Sequence, residues 1–566
     1  MEPRPWHRHY DPGVPPSIEE EPVSVPELLR RTAQRFGRRD AIRFRNARLT
    51  WAELDLAVDR FAGSLARLGV ARGTRVAIQL PNLPQTVIAF LGTLRARGVA
   101  VMTNPLAMPP EIERQWTDAG CEVGVVADFL WEKVAARQSR LPVRRWVVAS
   151  IPEYLPFPLR QVAPFVLRRA TPPLVADVPR APNIRRFRAL AAAGSDDGRP
   201  LAAPLPALSD PAALQYTGGT TGVSKGAVLT HGNLAAQAQQ LAAWMPELVP
   251  GEEVFLAALP FFHVFGLTVA LVLPVALGAT MIVEPNPRDV GRLIDAVSRH
   301  RVTIFPIVPA LAHSIASHER AKRLEVRSIK LCVSGSAPLS EDTLRRFEEI
   351  TGGRIVEGYG LTEASPVTHV NPARGLRKIS HIGLPLPDTD CRLVSIEDGE
   401  TEVPPGVEGE LLLRGPQVMQ GYWNRPEETA EALHDGWLRT GDLAVVDDEG
   451  YFRIVGRKKD MIVVGGYKVY PDEVDRALAE HPDVLEAATI GVPDARRGEI
   501  VKSFVVVRDG AAADADLLKE FCRERLAAYK IPREIELRGS LPKSAVLKVL
   551  RRELLDEELR RRQAPT

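Results

Sequence analysis

Short runs of β-branched and apolar residues alternate with stretches of helical spacing along most of this 566-residue chain. "RVAIQL" (75–80) has the composition of a buried strand. "PQTVIAFLGTLRARG" follows it as a predicted helix, with Pro84 near its start and Gly98 after its end. "TIFPIV", "KLCVSG" and "RIVEGYG" are further apolar runs at the same spacing. Together they predict an α/β fold of largely parallel sheets with covering helices. From Val264 to Val283 the chain carries no charge over twenty residues, which is long enough to span a membrane. Pro274 and Gly278 interrupt that run, and "ATMIVEP" reads as a strand and turn. The expectation is a buried helix running into a buried strand.

Two segments break the alternation. Residues 151–208 are rich in proline, arginine and alanine and read as an irregular excursion. Within them "YLPFPLRQVAPFVLRR" mixes apolar and basic residues. Its prolines argue against one long amphipathic helix and for a docked loop, with surface or membrane contact as the alternative. After Gly456 the texture changes again. "MIVVGGYKVY" has the form of a hairpin around Gly465 and Gly466, Pro471 opens a helix, and "EAATIGV", "SFVVV" and "EIEL" are strand-like. A small α+β domain over 457–566, after a large layered α/β domain over 1–456, is the predicted organisation.

Composition narrows the classes. Apolar residues make up 45% and charged residues 25%, as in ordinary globular chains. A net charge of +2 gives no general pull towards nucleic acid. Cys121, Cys332, Cys391 and Cys522 are scattered without a CxxC pair, which argues against a zinc site or disulfide framework and fits a reducing, cytoplasmic setting. "MEPRPWHRHYDPGVPPSIEEEP" contains no apolar signal core. Homodimer formation stays open.

The densest run of small and hydroxylated residues is "YTGGTTGVSKGA" (216–227). Such a loop offers unblocked backbone N–H groups, several hydroxyls and the cation of Lys225, a set suited to wrapping polyphosphate oxygens. It is not a Walker A loop. Lys225 follows Ser224 and precedes Gly226 and the strand-like "GAVLTH", so both the order and the context differ.

With this loop, "GYGLTEAS" (358–365), "TGD" (440–442), "GRKKDMIVVGGYKVYP" (456–471) and "LPKSAVLKVLRREL" (541–554) occur in sequence. In that order they resemble the motifs of the adenylate-forming enzymes: acyl-CoA synthetases, luciferases and peptide synthetase adenylation domains. The resemblance runs from about residue 25 to the end. It implies that Thr217, Gly218, Gly219, Thr220, Thr221, Gly222, Ser224 and Lys225 grip the β- and γ-phosphates of ATP. It implies that Gly335, Ala337 and Pro338 in "SGSAPL", with Tyr359 and Gly360, enclose adenine. Thr362 would meet the α-phosphate and Glu363 would bind Mg²⁺. Read without the family, Glu363 is more readily a helix-start carboxylate than a metal ligand. Asp442 and Arg457 would hold the ribose, Lys548 would be the adenylation lysine, Lys459 the hinge, and Gly466 would leave room for the pantetheine arm of coenzyme A. Leu547 stands where the family has glycine.

The same resemblance implies two half-reactions, carboxylate to acyl-AMP and acyl-AMP to thioester. "PFFHVFG" (260–266) resembles the acyl-pocket segment of fatty acyl-CoA synthetases, making Phe262, His263 and Gly266 candidate substrate residues. His263 reads equally as a core histidine. The expectation is a medium- to long-chain fatty acid–CoA ligase. The alternatives are an aryl acid, a carrier-protein acceptor, or an acyl-nucleotide binder without catalysis.

Overall fold

The computed structural model describes residues 4–193, 204–217, 224–323, 326–465, 467–494, 496–508, 510–544 and 548–563. The chain forms two compact units, Met1–Asp390 with Arg414–Gly436, and Cys391–Leu413 with Trp437–Thr566. A single cut after residue 456 does not describe them. Strand Gly409–Arg414 pairs antiparallel with Trp437–Val446, which pairs with Phe452–Arg457. Leu443 and Val455 of that sheet also pack with Tyr470.

The first unit holds two sheets. In the nine-stranded sheet the parallel strands run in the order Arg354–Gly360, Leu331–Ser334, Ile304–Ile307, Val254–Ala257, Thr280–Val283 and Asp40–Phe44, with antiparallel strands added at both edges. In the eight-stranded sheet the parallel strands run in the order Pro211–Thr217, Val99–Met102, Arg75–Gln79, Val123–Ala127, Arg145–Ala149 and Ile184–Arg186. Lys225–Thr230 pairs antiparallel beside Pro211–Thr217, and Gly421–Tyr422 closes that edge. The expected helix after "RVAIQL" is Pro84–Arg95, buried at every position from Pro84 to Leu94. The uncharged run forms a buried helical stretch from Val264 to Leu277, then strand Thr280–Val283. Among the described residues no helix is long and apolar enough to cross a membrane.

The excursion departs from expectation. It contains helix Leu159–Arg168 with Pro164 inside it, strand Ile184–Arg186 and helix Phe187–Ala193. Pro164 costs the helix one backbone donor, and ten residues are short enough to tolerate that loss. None of those ten residues is buried, so the segment is not a docked loop.

A second five-stranded sheet of this unit joins Tyr467–Val469, Ile462–Val464, Gly498–Val507, Val484–Asp494 and Glu534–Leu537. Its central strand shows the two-residue side-chain period. Val501 and Val505 pack towards Val474, Leu478 and Leu518, whereas Ile500, Phe504 and Val506 pack towards Leu541 and Leu554. Helices therefore cover both faces, and an uninterrupted apolar run is the sequence consequence. Phe504→Ala is expected to destabilise this unit by about 3–5 kcal/mol, because it empties a fully buried ring site. Chemical denaturation of the purified variant measures it.

Candidate active site

In the first unit, Thr217 and Lys225 are paired residues of an antiparallel ladder, and Ser224 Oγ donates to the Thr217 carbonyl at 2.6 Å. These two paired strands form a hairpin that flanks the glycine-rich segment. Gly218, Gly219, Thr220, Thr221 and Gly222 lie outside the described residues. The Lys225 ammonium lies 5.3 Å from the ring centre of Tyr422. The Tyr422 hydroxyl donates to Glu363 Oε1 at 2.8 Å. Burial, then the Glu363 charge, holds the phenol neutral far above neutral pH, so it stays a donor. The Met419 N–H donates to the Glu363 carbonyl at 2.7 Å. A cation, a neutral donor and a carboxylate therefore form one chain at the base of the hairpin.

Thr362 and Glu363 sit in a short 3₁₀ turn, Thr362–Ala364, directly after strand Arg354–Gly360. The backbone doubles back so tightly that a Cβ at Gly360 would lie 2.0 Å from the Pro366 carbonyl oxygen, so only glycine fits. Tyr359 is half-exposed and meets His369 edge to face, with ring centres 5.9 Å apart. Gly335 is buried, whereas Ala337 and Pro338 are exposed at the end of strand Leu331–Ser334. Buried Glu357 joins the two segments. Its Oε1 accepts from Leu339 N at 3.0 Å and its Oε2 from Ser380 N at 3.2 Å. Burial pushes its carboxyl up to about 7 despite those donors.

Phe262 and His263 are half-buried, and His263 Nδ1 accepts from Phe265 N at 3.2 Å, capping the helical turn Val264–Leu267. A Cβ at Gly266 would lie 2.2 Å from the Pro260 carbonyl oxygen, so this loop also requires glycine. Asn82 braces it, accepting from Phe261 N at 2.8 Å and donating to the Ala257 and Leu259 carbonyls at 3.0 and 2.8 Å.

In the second unit, Asp442 and Arg457 face each other across an antiparallel ladder, with Arg457 Nε 2.8 Å from Asp442 Oδ1. Lys459 is exposed in the turn joining strands Phe452–Arg457 and Ile462–Val464, a turn closed by Asp460 N donating to the Arg457 carbonyl at 3.1 Å. Gly466 lies outside the described residues. Lys548 and Ser544 close a small loop, with Ser544 N donating to the Lys548 carbonyl at 2.8 Å. Leu547 falls within the undescribed part of that loop. Desolvation, then the Arg457 guanidinium, pushes the Lys548 ammonium down to about 8, against the pull of Asp442 and Asp472. The side chain is accessible to solvent, so the shift reflects a crowded surrounding and not a sealed site. Arg551 binds Asp472 and Asp475, tying the helix after Lys548 to helix Pro471–Ala479.

The structure thus brings together Lys225 with Glu363 through Tyr422, and Asp442 with Arg457 and Lys548. Sequence reasoning missed Tyr422, Glu357, Asn82 and Arg551. The visible signal for the first was an aromatic pair after a glycine in "QGYWNRP". Glu363 supplies one carboxylate, and no cluster of three metal-ligating side chains occurs among the described residues. That donor set fits Mg²⁺, which takes one or two carboxylates plus phosphate oxygens, arriving with a nucleotide.

Residues 29–423 match the AMP-binding enzyme family, and residues 473–548 match the AMP-binding enzyme C-terminal domain. The chain belongs to the AMP-binding enzyme family. It is similar to the long-chain-fatty-acid–CoA ligase of Bacillus subtilis (strain 168), at 42% identity over 560 residues and 98% of each chain. It is also similar to the enzyme of that name from Salmonella typhimurium (strain LT2), at 39% identity over 561 residues and 98% of each chain. Among solved structures it is similar to the anthranilate CoA ligase AuaEII in complex with anthranoyl-AMP. There the TM-score is 0.84 and identity 26%, covering 96% of this chain and 99% of that one.

The Lys548 amine is expected to titrate near 8. Its rate of labelling by an amine-directed reagent, measured against pH by peptide mass spectrometry, should reach half its maximum there. Arg457→Ala should move that midpoint upwards, because removing a neighbouring cation favours the charged ammonium.

Proposed function

We propose that this protein is an AMP-forming acid–thiol ligase that converts a medium- to long-chain fatty acid to its acyl-CoA. The observation that carries the reading is the Lys225–Tyr422–Glu363 chain at the base of the glycine-rich hairpin. The near-full-length relatives named for this reaction support the choice of acid.

A fatty carboxylate is ionised near neutral pH and needs no general base. Its oxygen attacks the α-phosphorus of ATP. A carboxylate–phosphorus bond forms as the bond to the β-phosphate's bridging oxygen breaks, and pyrophosphate leaves with the electron pair. Thr217, Ser224 and Lys225, with residues 218–222, hold the leaving phosphates. Glu363, oriented by Tyr422, would hold Mg²⁺, which when bound offsets phosphate charge. Thr362 contacts the α-phosphate. Gly335, Ala337, Pro338, Tyr359 and Gly360 enclose adenine, while Asp442 and Arg457 bind the ribose hydroxyls. The Lys548 ammonium bridges the carboxylate and α-phosphate oxygens as charge shifts between them. Phe262, His263 and Gly266 line the acyl site.

In the second half-reaction the CoA thiol, as thiolate, attacks the acyl carbonyl. The carbon–sulfur bond forms as the mixed anhydride bond breaks and AMP departs. The two steps need different groups at one acyl centre, and rotation about Lys459 supplies them in turn, with Gly466 beside the pantetheine arm. Contact with the inner face of a membrane belongs to this reading, since long-chain acids partition into bilayers.

Purified protein supplied with acids of increasing length should release AMP and pyrophosphate, with AMP release dependent on CoA. Release of orthophosphate, or indifference to every acid, would overturn the reading. Lys548→Ala should slow pyrophosphate exchange by about 10²–10³-fold. In the wild type, exchange should hold below pH 8 and fall above it as the ammonium loses its proton. Lys459→Pro should impair thioester formation more than adenylation, and equal loss of both would reject the hinge.

A further inference from the structure

The helix Leu159–Arg168 has no buried residue, yet its outward side is apolar. Phe157 just before it is 73% exposed, and Val162, Phe165 and Val166 are 54%, 70% and 62% exposed. At 100° per residue Val162, Phe165 and Val166 fall on one side of the helix, with Arg168 at the edge of that side and Arg169, just past the last turn, in line with it. The half-buried positions Arg160, Ala163, Pro164 and Leu167 face the other way. A side chain the size of phenylalanine gains roughly 1.5–3 kcal/mol when removed from water, so a row of such groups left in water is a surface that wants a cover.

Charge says what covers it. Residues 155–193 carry seven arginines and a single carboxylate, Asp177, in a chain whose net charge is only +2. Asp177 is already paired with Arg168 at 2.8 Å. Two copies meeting about a two-fold axis would set these arginines against each other, so self-association is opposed. An anionic lipid surface satisfies both features. Acyl chains accept the phenylalanines and valines, and phosphate headgroups accept the guanidiniums.

The segment is also held near the acyl loop. Gln85 donates to the Ser150 carbonyl at 2.8 Å and to Glu153 Oε2 at 3.2 Å. Three residues earlier, Asn82 braces Phe261, as described above. The start of helix Pro84–Arg95 and Asn82 just before it therefore contact the segment leading into the apolar helix and the candidate acyl segment, respectively.

We infer that the helix Leu159–Arg168, with Phe157 and Arg169, is a lipid-docking surface that lies in the headgroup region of an anionic bilayer. It deepens the fatty acid ligase reading by placing the source of substrate beside the acyl loop, and it rests on that reading only for its purpose.

The test is cosedimentation of the full chain with fatty-acid-free vesicles of phosphatidylcholine, with and without phosphatidylglycerol. The wild type should prefer the anionic vesicles and lose binding as salt rises. Phe165→Asp and, separately, the Arg168→Glu, Arg169→Glu pair should each lower the partition coefficient about tenfold or more. Turnover of a water-soluble medium-chain acid should be unchanged in both. The second variant stands in if the first does not fold. Equal partition of variants and wild type, indifference to lipid charge, or a concentration-dependent dimer abolished by Phe165→Asp would overturn the inference. Because the vesicles contain no substrate, failure here leaves the ligase reading standing, and failure of the ligase assay leaves the binding result readable.

Discussion

The hydrogen bond from Tyr422 to Glu363 joins the ends of two sheets, and the proposed chemistry depends on that junction. Tyr422 belongs to a two-residue edge strand beside Lys225–Thr230 in the eight-stranded sheet. Glu363 follows the strand Arg354–Gly360 of the nine-stranded sheet. A triphosphate carries more charge than one loop can meet, so donors and a carboxylate for the metal must converge from separate elements. A hydroxyl kept neutral by burial suits the junction, because it donates to the carboxylate without adding charge beside Lys225.

The second unit presents a complementary arrangement. Asp442 and Arg457 are held in register by backbone pairing, so their side chains meet with little freedom left to lose on binding a ligand. Lys548 hangs from a small closed loop, and Arg551 anchors the helix that follows it. An ammonium depressed to about 8 is more weakly held in its charged form than an ordinary lysine. It gains correspondingly more from anionic oxygens brought near it.

In the outward helix of residues 159–168 folding leaves a row of large apolar groups in water. The basic bias of the same stretch sets it apart from the rest of the chain, whose charges nearly balance. Both features point towards a lipid surface and away from a buried role.

Much of the architecture was legible along the chain. Strands such as Arg75–Gln79 and Leu331–Ser334 stand out because parallel sheets are buried on both faces and leave continuous apolar runs. The glycine-rich run stood out because its small residues leave backbone N–H groups unblocked, a composition suited to phosphate oxygens. The ribose candidates Asp442 and Arg457 came from the family resemblance and not from local pattern; their facing positions across one ladder came only with the fold. What no local pattern could carry was partnership across distance. Tyr422 and Glu363 are 59 positions apart, Asn82 and Phe261 179, and Arg551 and Asp472 79. Periodicity reports which way a side chain faces within its own element. Only the packing of sheets and helices decides what it meets there, and only that packing left the apolar side of residues 159–168 bare.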